Sequence, residues 1–481
     1  MSRRRKSKDL AGKPAPNDGT KWGHLSDAEL VREFAAELAR RRMADGPRTL
    51  EDIETLSEGL AHSSGEEIQA ATIAALPPED GSPRPCPKCG KPTPVKARNR
   101  PRHLLTVAGE LRLSRNYHHC AACKHGFHPR DIELKLPEEG EVSDAMERRI
   151  LDFGVNASFE ESAERWNIHY RVPISSNLVR RVVDRVGRRR EKAHSALALQ
   201  QACRPTPEAP AGTLVVANDG SMVLTREESW KEAKVAVVAR ANCVIPDKSP
   251  VITEPRYAAV LGGQNEFRVA LKAALDAERA DDVMNIVWLG DGARENWTLS
   301  YELCPFATQV LDFMHAVQNG MGCGKALLGE GDPGLPDWEA RIRQLLAGPS
   351  LDALIHELLD CLPFSSTEDA LGSLDQLVGY YRTNEHRMRY AEFRARGLPI
   401  GSGMVESAHK HVLQARMKQA GQRWSMHRGR RMVELRALYR TAGPRRFHWA
   451  IREGLKSPAA RHQAPLPNGA RRGSHLRVAS I

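Results

Sequence analysis

Apolar residues fall at helical intervals over residues 26–75, with Ser26 ahead of Asp27-Ala28-Glu29 as a capping start, which predicts a small helical region. The segment from Leu104 to Arg115 alternates instead, apolar against polar around Gly109, and reads as a β-hairpin. Helical spacing resumes over 144–153 and 158–166, breaks at Val172-Pro173-Ile174, and returns over about 175–190. Three prolines between Gln200 and Gly212 then mark a domain boundary.

Beyond that boundary the pattern becomes α/β. Thr213-Leu-Val-Val-Ala-Asn-Asp219 is a short buried strand ending in an acid, and residues 231–241 and 256–261 supply two more strands. An amphipathic helix over 265–280 leads to Asn285-Ile-Val-Trp-Leu-Gly-Asp291-Gly292, a second apolar strand that ends in Asp-Gly. A helix over 295–303, a strand over 307–312 and a helix running through His315 follow. A long helical stretch, about 338–396, precedes Ile400-Gly-Ser-Gly-Met-Val-Glu406, where a further helix opens. Three strands, helix, strand, helix, strand, helical insertion and helix is the order of the ribonuclease-H-like fold. An α/β catalytic core of that kind is therefore predicted over 213–440, with the insertion at about 316–400. The parts ahead of it are a tail and small helical region (1–76), a ribbon (77–140) and a helix-turn-helix-like region (141–200); a basic, flexible tail (441–481) follows. At roughly 150 residues per domain, 481 residues agree with several modules.

Composition is that of a soluble globular protein, with 41% hydrophobic and 27% charged residues. No apolar run of about 18 residues is present, and Met-Ser-Arg-Arg-Arg-Lys opens the chain without the apolar core of a signal peptide, so a cytoplasmic, nucleoid-associated location is expected. The first twenty or so residues, basic and polar with Pro14 and Pro16, and the end from Ser457 onward are expected to be disordered. Net charge adds a partner. Of the overall +11, residues 382–481 carry +17 (22 Lys or Arg against 5 Asp or Glu), leaving the remainder at −6. Such asymmetry suits a surface that tracks DNA phosphates. Lys410, Arg416, Lys418 and Arg423 are the expected contacts there, and Arg180, Arg181 and Arg185 those of the Arg-loaded helix at 175–190. A helical linker with a solvated basic face is the plainer alternative for the latter.

Nine cysteines in a reducing compartment do not form a disulfide framework. Cys86-Pro-Lys-Cys89-Gly90 and Cys120-Ala-Ala-Cys123 make two CxxC knuckles on the predicted hairpin, a zinc ribbon in which four thiolates surround one structural Zn²⁺. His118, His119, His125 and His128 crowd the second pair and are expected to be bystanders. Cys203, Cys243, Cys304, Cys323 and Cys361 are scattered and read as small buried hydrophobes.

The acids carry the chemistry. Two Mg²⁺ ions can run phosphoryl transfer by activating the attacking oxygen and steadying the leaving one, and hard ions want carboxylates held on rigid strand ends. Asp219 and Asp291 each follow an apolar strand and precede a glycine; either Asp-Gly alone would be a common turn, and their pairing in this element order is what makes them candidate ligands. Glu406 heads a helix whose dipole favours an acid on structural grounds alone, but the glycine-rich approach and the basic run after it fit a ligand beside DNA. Mn²⁺ should substitute for Mg²⁺ at such a site.

Asn218-Asp-Gly-Ser-Met222 with Trp230-Lys-Glu-Ala-Lys-Val235, Gly290-Asp-Gly-Ala293 and Leu398-Pro-Ile-Gly-Ser-Gly-Met-Val-Glu-Ser407, behind a CxxC ribbon, resembles bacterial insertion-sequence transposases of the ISKra group over roughly residues 80–440. The resemblance implies a DDE triad at Asp219, Asp291 and Glu406, cleavage of DNA at element ends and strand transfer into target DNA by a homodimer or larger assembly. Asp312-Phe-Met-His315 resembles a DxxH signature of related transposases and is a secondary site, with a helix N-cap and a packed histidine as the alternative. The family's aromatic after the second Asp-Gly is replaced here by Ala293. A nuclease or resolvase without strand transfer, or a zinc-ribbon DNA-binding regulator with an inactive core, would share many of these features.

Overall fold

The computed structural model describes residues 24–43, 46, 49–209, 212–242, 250–360 and 368–456; both expected disordered ends, as well as Cys243 and Cys361, lie outside them. The chain divides into two compact units between Ser143 and Asp144.

In the first unit two helices, α1 (Asp27–Met43) and α2 (Leu50–Ala74), precede a short strand pair, β1 (Arg84–Pro85) and β2 (Pro92–Thr93). The hairpin is longer than its alternating segment: β3 (Val95–Thr106) pairs antiparallel with β4 (Gly109–His119), and β5 (Gly126–Phe127) adds to β4. Leu104, Leu111 and Leu113 bury one face against Ile73 of α2, Leu134 and Leu136. Gly109 turns the chain at φ +131°, a backbone that glycine adopts freely. A short helix, α3 (Pro129–Glu133), packs on β4, where Asp131 accepts from Arg102 and Arg115.

The second unit opens with α4 (Asp144–Gly154), α5 (Phe159–His169), α6 (Ser176–Glu191) and α7 (Ala196–Cys203). Ser158, Ser175 and Ser195 each cap the following helix through a side-chain oxygen. A five-stranded mixed sheet follows: β6 (Thr213–Leu224), β7 (Trp230–Asn242), β8 (Val251–Leu261), then β9 (Asn285–Gly290) after helix α8 (Gln264–Ala277), and β10 (Thr308–Leu311) after α9 (Arg294–Leu303). The order across the sheet is β10-β9-β6-β7-β8; β6, β7 and β8 run antiparallel, whereas β9 and β10 are parallel to β6. Parallel neighbours need crossover helices, which α8 and α9 provide. Leu214 to Ala217 are fully buried, as a central strand covered on both faces requires.

One difference concerns β6. It does not stop at Asp219: the antiparallel ladder with β7 continues to Leu224 opposite Trp230, because β7 is long enough to pair with it, while the parallel ladder with β9 ends at Ala217. After β10 come α10 (Phe313–Leu328), α11 (Leu335–Leu346), α12 (Leu351–Asp360), α13 (Glu368–Asn384) and α14 (Tyr390–Ala395), so the expected helical stretch is a set of shorter helices. The chain returns through α15 (Gly403–Ala408), a π-helical turn (His409–Gln414), α16 (Ala415–Met417), α17 (Met426–Ala442) and α18 (Pro444–Glu453).

The helices at 144–203, expected to stand apart from the sheet, pack with its covering helices: α6 lies against α17, and α7 against α8, α17 and α18. Side-chain pairs do the joining: Arg431 of α17 donates to Asp184 and Glu191 of α6, and Glu147 of α4 bonds His448 of α18. Glu147 is buried and accepts from Arg185 at 2.9 and 3.1 Å, Arg189 at 2.6 Å and His448 at 3.0 Å. Burial alone would raise the Glu147 carboxyl, but His448, Arg189 and Arg185 outweigh it and hold it far below the usual range. Replacing Glu147 by glutamine strands buried guanidinium charge and should cost on the order of 3–5 kcal/mol. Because the folded pKa is depressed, this contribution is present above the unfolded carboxyl pKa of about 4.3 and is lost as pH falls below it. Urea unfolding of both proteins should show a large gap at neutral pH that closes in acid; equal stabilities at neutral pH would refute the network's role.

Candidate functional site

Register places the acids. The parallel ladder of β6 with β9 ends at Ala217 opposite Leu289, so Asp219 and Asp291 each lie two residues beyond its last pair, Asp219 still within β6 and Asp291 just past the end of β9. Gly290 pairs with Leu311 of β10, and one step on Asp312 falls beside Asp291; its amide still donates to the Gly290 carbonyl at 2.8 Å. Three carboxylate-bearing positions thus form a row across β6, β9 and β10.

Their surroundings differ. Asp219 is about a third exposed, with Oδ1 accepting from the Gly220 amide at 2.7 Å. Asp291 accepts at Oδ1 from the Ala293 amide at 3.0 Å and from Asn296 Nδ2 at 2.6 Å, and Asn218 donates in turn to Asn296, so the two strands are tied through an amide bridge. Gly292, at φ +98°, makes the turn after Asp291, and a Cβ there would lie 2.6 Å from the Tyr380 hydroxyl, which donates to the Asp291 carbonyl at 3.3 Å. An aromatic ring therefore reaches this turn from α13, although Ala293 follows the Asp-Gly pair. Asp312 is buried and fully used: it caps α10 by accepting from the His315 amide at 2.8 Å and takes the Ser402 amide on its other oxygen. Burial would raise its carboxyl, but bonds from His315 and Ser402 hold it below the ordinary value, while Asp312 raises His315, with smaller help from Asp291 and Asp219.

The segment that leads to Glu406 is tied to Asp312 and its neighbour. Ser402 is anchored on Asp312, the Phe313 amide donates to the Ile400 carbonyl at 2.9 Å, and α15 packs on β6 and β7. One helical turn after the exposed Glu406, on the same face, His409 is buried with Nε2 3.4 Å from Asp219 Oδ2. His409 is a further residue of the site that the sequence motifs did not single out, although the spacing Glu406-Ser-Ala-His409 places both side chains on one face. It begins the π-helical turn, a distortion that concentrates at functional sites.

A family model described as "Uncharacterised protein family (UPF0236)" matches residues 93–453, three quarters of the sequence. The chain belongs to this family. No curated protein matches it. Among solved structures it is similar to the Drosophila P element transposase strand transfer complex, at 10% identity and a TM-score of 0.30, over 68% of this chain and 94% of that one. A TM-score of 0.30 does not establish a shared fold.

The segment common to UPF0236 contains the three acids, Asp312, His315 and His409, together with Cys120 and Cys123, but begins after Cys86 and Cys89. The four sulfurs nonetheless converge, with Cys86 to Cys123 at 3.5 Å, Cys89 to Cys120 at 3.6 Å, and all four atoms within 4.8 Å of one another. Tetrahedral Zn–S bonds of about 2.3 Å put sulfurs about 3.8 Å apart, so the cluster fits that ion. Gly90 (φ +73°) and Lys124 (φ +58°) close the two knuckles with matching backbone bonds to the carbonyls of Cys86 and Cys120. The Cys123 amide brings the Cys120 thiol down to about 6. At Cys123 the His125 amide pulls down, but burial and the neighbouring sulfurs push it up to about 12, the repulsion that a central cation relieves. Nδ1 of His118 is bonded to Thr93 and that of His128 to Asn116, each through a main-chain oxygen.

Of the expected DNA contacts in this UPF0236 chain, two are misplaced. Arg185 is buried on Glu147, and Arg416 is 1% exposed, stacked between Phe159 and Trp424. Both guanidinium groups are structural. Arg436 is likewise buried on main-chain oxygens of Val155, His411 and Val412, so part of the C-terminal charge excess holds the unit together. Arg181, Lys410 and Arg423 are exposed, and Arg180 is half-buried beside Asn177. Lys418 reaches the strand of Asp219: it donates to Ser221 Oγ at 2.8 Å, on the strand face that carries Asp219. A second carboxylate and histidine group, Asp144, Glu147 and His448, also gathers within 4.8 Å, but Arg185, Arg189 and Arg452 already supply its positive charge.

Proposed function

We propose that this chain is a DNA transposase of the ribonuclease-H-like type, in which Asp219, Asp291 and Glu406 hold two divalent ions. The observation that carries this is the parallel pairing of β6 with β9, which ends two residues before Asp219 and two before Asp291, while the segment leading to Glu406 is tied to Asp312 at Ser402 and His409 lies 3.4 Å from Asp219. The strand order, three antiparallel strands followed by two parallel to the first, and the motif resemblance to ISKra-group transposases support it. The carboxylates do not form a single cage within 4.8 Å, as the four thiolates do. Ligands shared between two ions about 3.5–4 Å apart spread further than that. Bound there, Mg²⁺ or Mn²⁺ would supply activation of the attacking oxygen and charge for the leaving one.

The chain's own groups do the rest. Water attacks a phosphodiester at the element end and the P–O bond to the 3′ oxygen breaks; the freed 3′-hydroxyl later attacks a target phosphodiester, whose own P–O bond to the 3′ oxygen breaks and releases a target 3′-hydroxyl. Asn296 keeps Asp291 oriented, and Lys418 neutralises a phosphate lying along the face of β6. Zn²⁺ at Cys86, Cys89, Cys120 and Cys123 stiffens a ribbon that reads the element end, and pairing two ends calls for at least a dimer.

Purified protein incubated with Mg²⁺ and DNA flanking its own coding sequence should cut and join ends, and should do neither with chelator. Cutting without joining would make it a nuclease or resolvase; neither product with either ion would leave a DNA-binding regulator. Neutralising Lys410, Lys418 and Arg423 together should weaken binding to specific and unrelated DNA alike, and reduce the slope of log K against log salt by about 3. Loss confined to the specific site would mean that these residues read bases.

A further inference from the structure

We propose that His409 is a direct ligand of the same divalent ion as Asp219, which makes this a mixed nitrogen and oxygen centre that selects Mn²⁺ over Mg²⁺. The proposal deepens the metal-centre reading above and rests on it. Two observations meet at this residue. His409 is 5% exposed, yet its Nε2 has no hydrogen-bond partner among the described residues, an expensive state for a buried polar atom. That same atom lies 3.4 Å from Asp219 Oδ2. Two donors each about 2.1 Å from one ion, at roughly a right angle, lie about 3 Å apart, so the pair is already close to the bite of a shared cation.

The backbone explains how a buried imidazole comes to a strand of acids. Glu406 and His409 are one helical turn apart, and the change to a π-helical turn at His409 alters the winding where the ring meets β6. Packing of α15 on β6 and β7 then fixes the ring against Asp219. Imidazole nitrogen suits transition ions, whereas Mg²⁺ keeps to oxygen and water, so this ligand biases the site toward Mn²⁺. The Cys cluster does not compete, since four thiolates select a softer ion.

The test is pulsed electron paramagnetic resonance of Mn²⁺ bound to the full chain, with and without DNA, comparing unlabelled protein with protein grown on ¹⁵N-histidine. The expected result is a directly bonded nitrogen coupling that changes with the label, persists in His315→Gln and disappears in His409→Gln, with Mn²⁺ affinity falling at least about tenfold in the latter. Isotope labelling keeps the test valid if His409→Gln fails to fold. Mn²⁺ that binds, is lost in Asp219→Asn, and shows no histidine nitrogen would overturn the proposal and leave the carboxylate centre standing. Absence of Mn²⁺ binding in the wild-type chain, even with DNA, would remove the metal centre and His409's role together.

Discussion

Asparagine at position 291 is expected to abolish both DNA cleavage and joining, by about a thousandfold or more, while fold and DNA affinity stay at wild-type levels. A factor of about a thousand is roughly 4 kcal/mol of lost transition-state stabilisation, a reasonable toll for removing the charge that fixes a catalytic ion. The substitution is sharp because of how Asp291 is held. Its Oδ1 accepts from Ala293 and Asn296, and an asparagine oxygen can keep both bonds while placing NH₂ where the other carboxylate oxygen stood. Structure is spared and only the anion is lost. Glu406→Gln should behave alike, since Glu406 is exposed and its helix-dipole contribution amounts to only about 0.3–1 kcal/mol. Asp312→Asn is the contrast. Both of its oxygens accept from donors, so an amide must set NH₂ against an N–H, and loss of stability on the order of 1–3 kcal/mol should accompany any loss of activity. A folded Asp291→Asn protein that still cuts ends at the wild-type rate would sink the assignment of the acids.

The strands leading to these candidate acids were legible as apolar runs, and the alternation of strands and helices set their order, but only Asp291 follows a strand end. The register between β6 and β9 was not legible, since it depends on a pairing between segments 72 residues apart. Nor could local pattern show that β6 runs on past Asp219, which its partner β7 decides. The arginines failed for a related reason. Arg185 lies on a helix with an evident basic face, but whether that face meets solvent or a buried acid depends on Glu147, 38 residues earlier in the chain. Arg416 and the exposed Lys418 are two residues apart in sequence, and of the rings that claim Arg416, Phe159 comes from a distant segment while Trp424 lies just after it. A charge count thus located a basic region correctly but overestimated the part of it free to meet DNA. His409 shows the converse. Its spacing from Glu406 was visible, but a single histidine acquires meaning only when Asp219 is placed 3.4 Å from it.

The ribbon carries the other large expectation. Serine at Cys89, or at Cys120, should leave the purified chain without stoichiometric zinc and open the knuckles, because structural zinc supplies about 10–16 kcal/mol of apparent binding energy in small domains. The apolar core there is too small to compensate: around the sulfurs it amounts to Cys86, Cys120 and Phe127 with Cys123 packed against them. Hydrogen exchange should therefore accelerate at the Gly90 and Lys124 amides, whose bonds to the carbonyls of Cys86 and Cys120 close the knuckles. Protection of the Leu104, Leu111 and Leu113 face should fall less, since Ile73, Leu134 and Leu136 cover it independently. Exposed Cys89 offers a partial rescue, because histidine is an acceptable fourth ligand at an open edge, whereas at buried Cys120 its ring has no room. Specific binding to element ends should weaken in both serine variants, with salt-dependent binding to unrelated DNA kept by Lys410, Lys418 and Arg423. Freshly purified wild-type chain with no zinc, or a Cys89→Ser protein whose knuckle amides exchange at the wild-type rate, would refute the ribbon's dependence on metal.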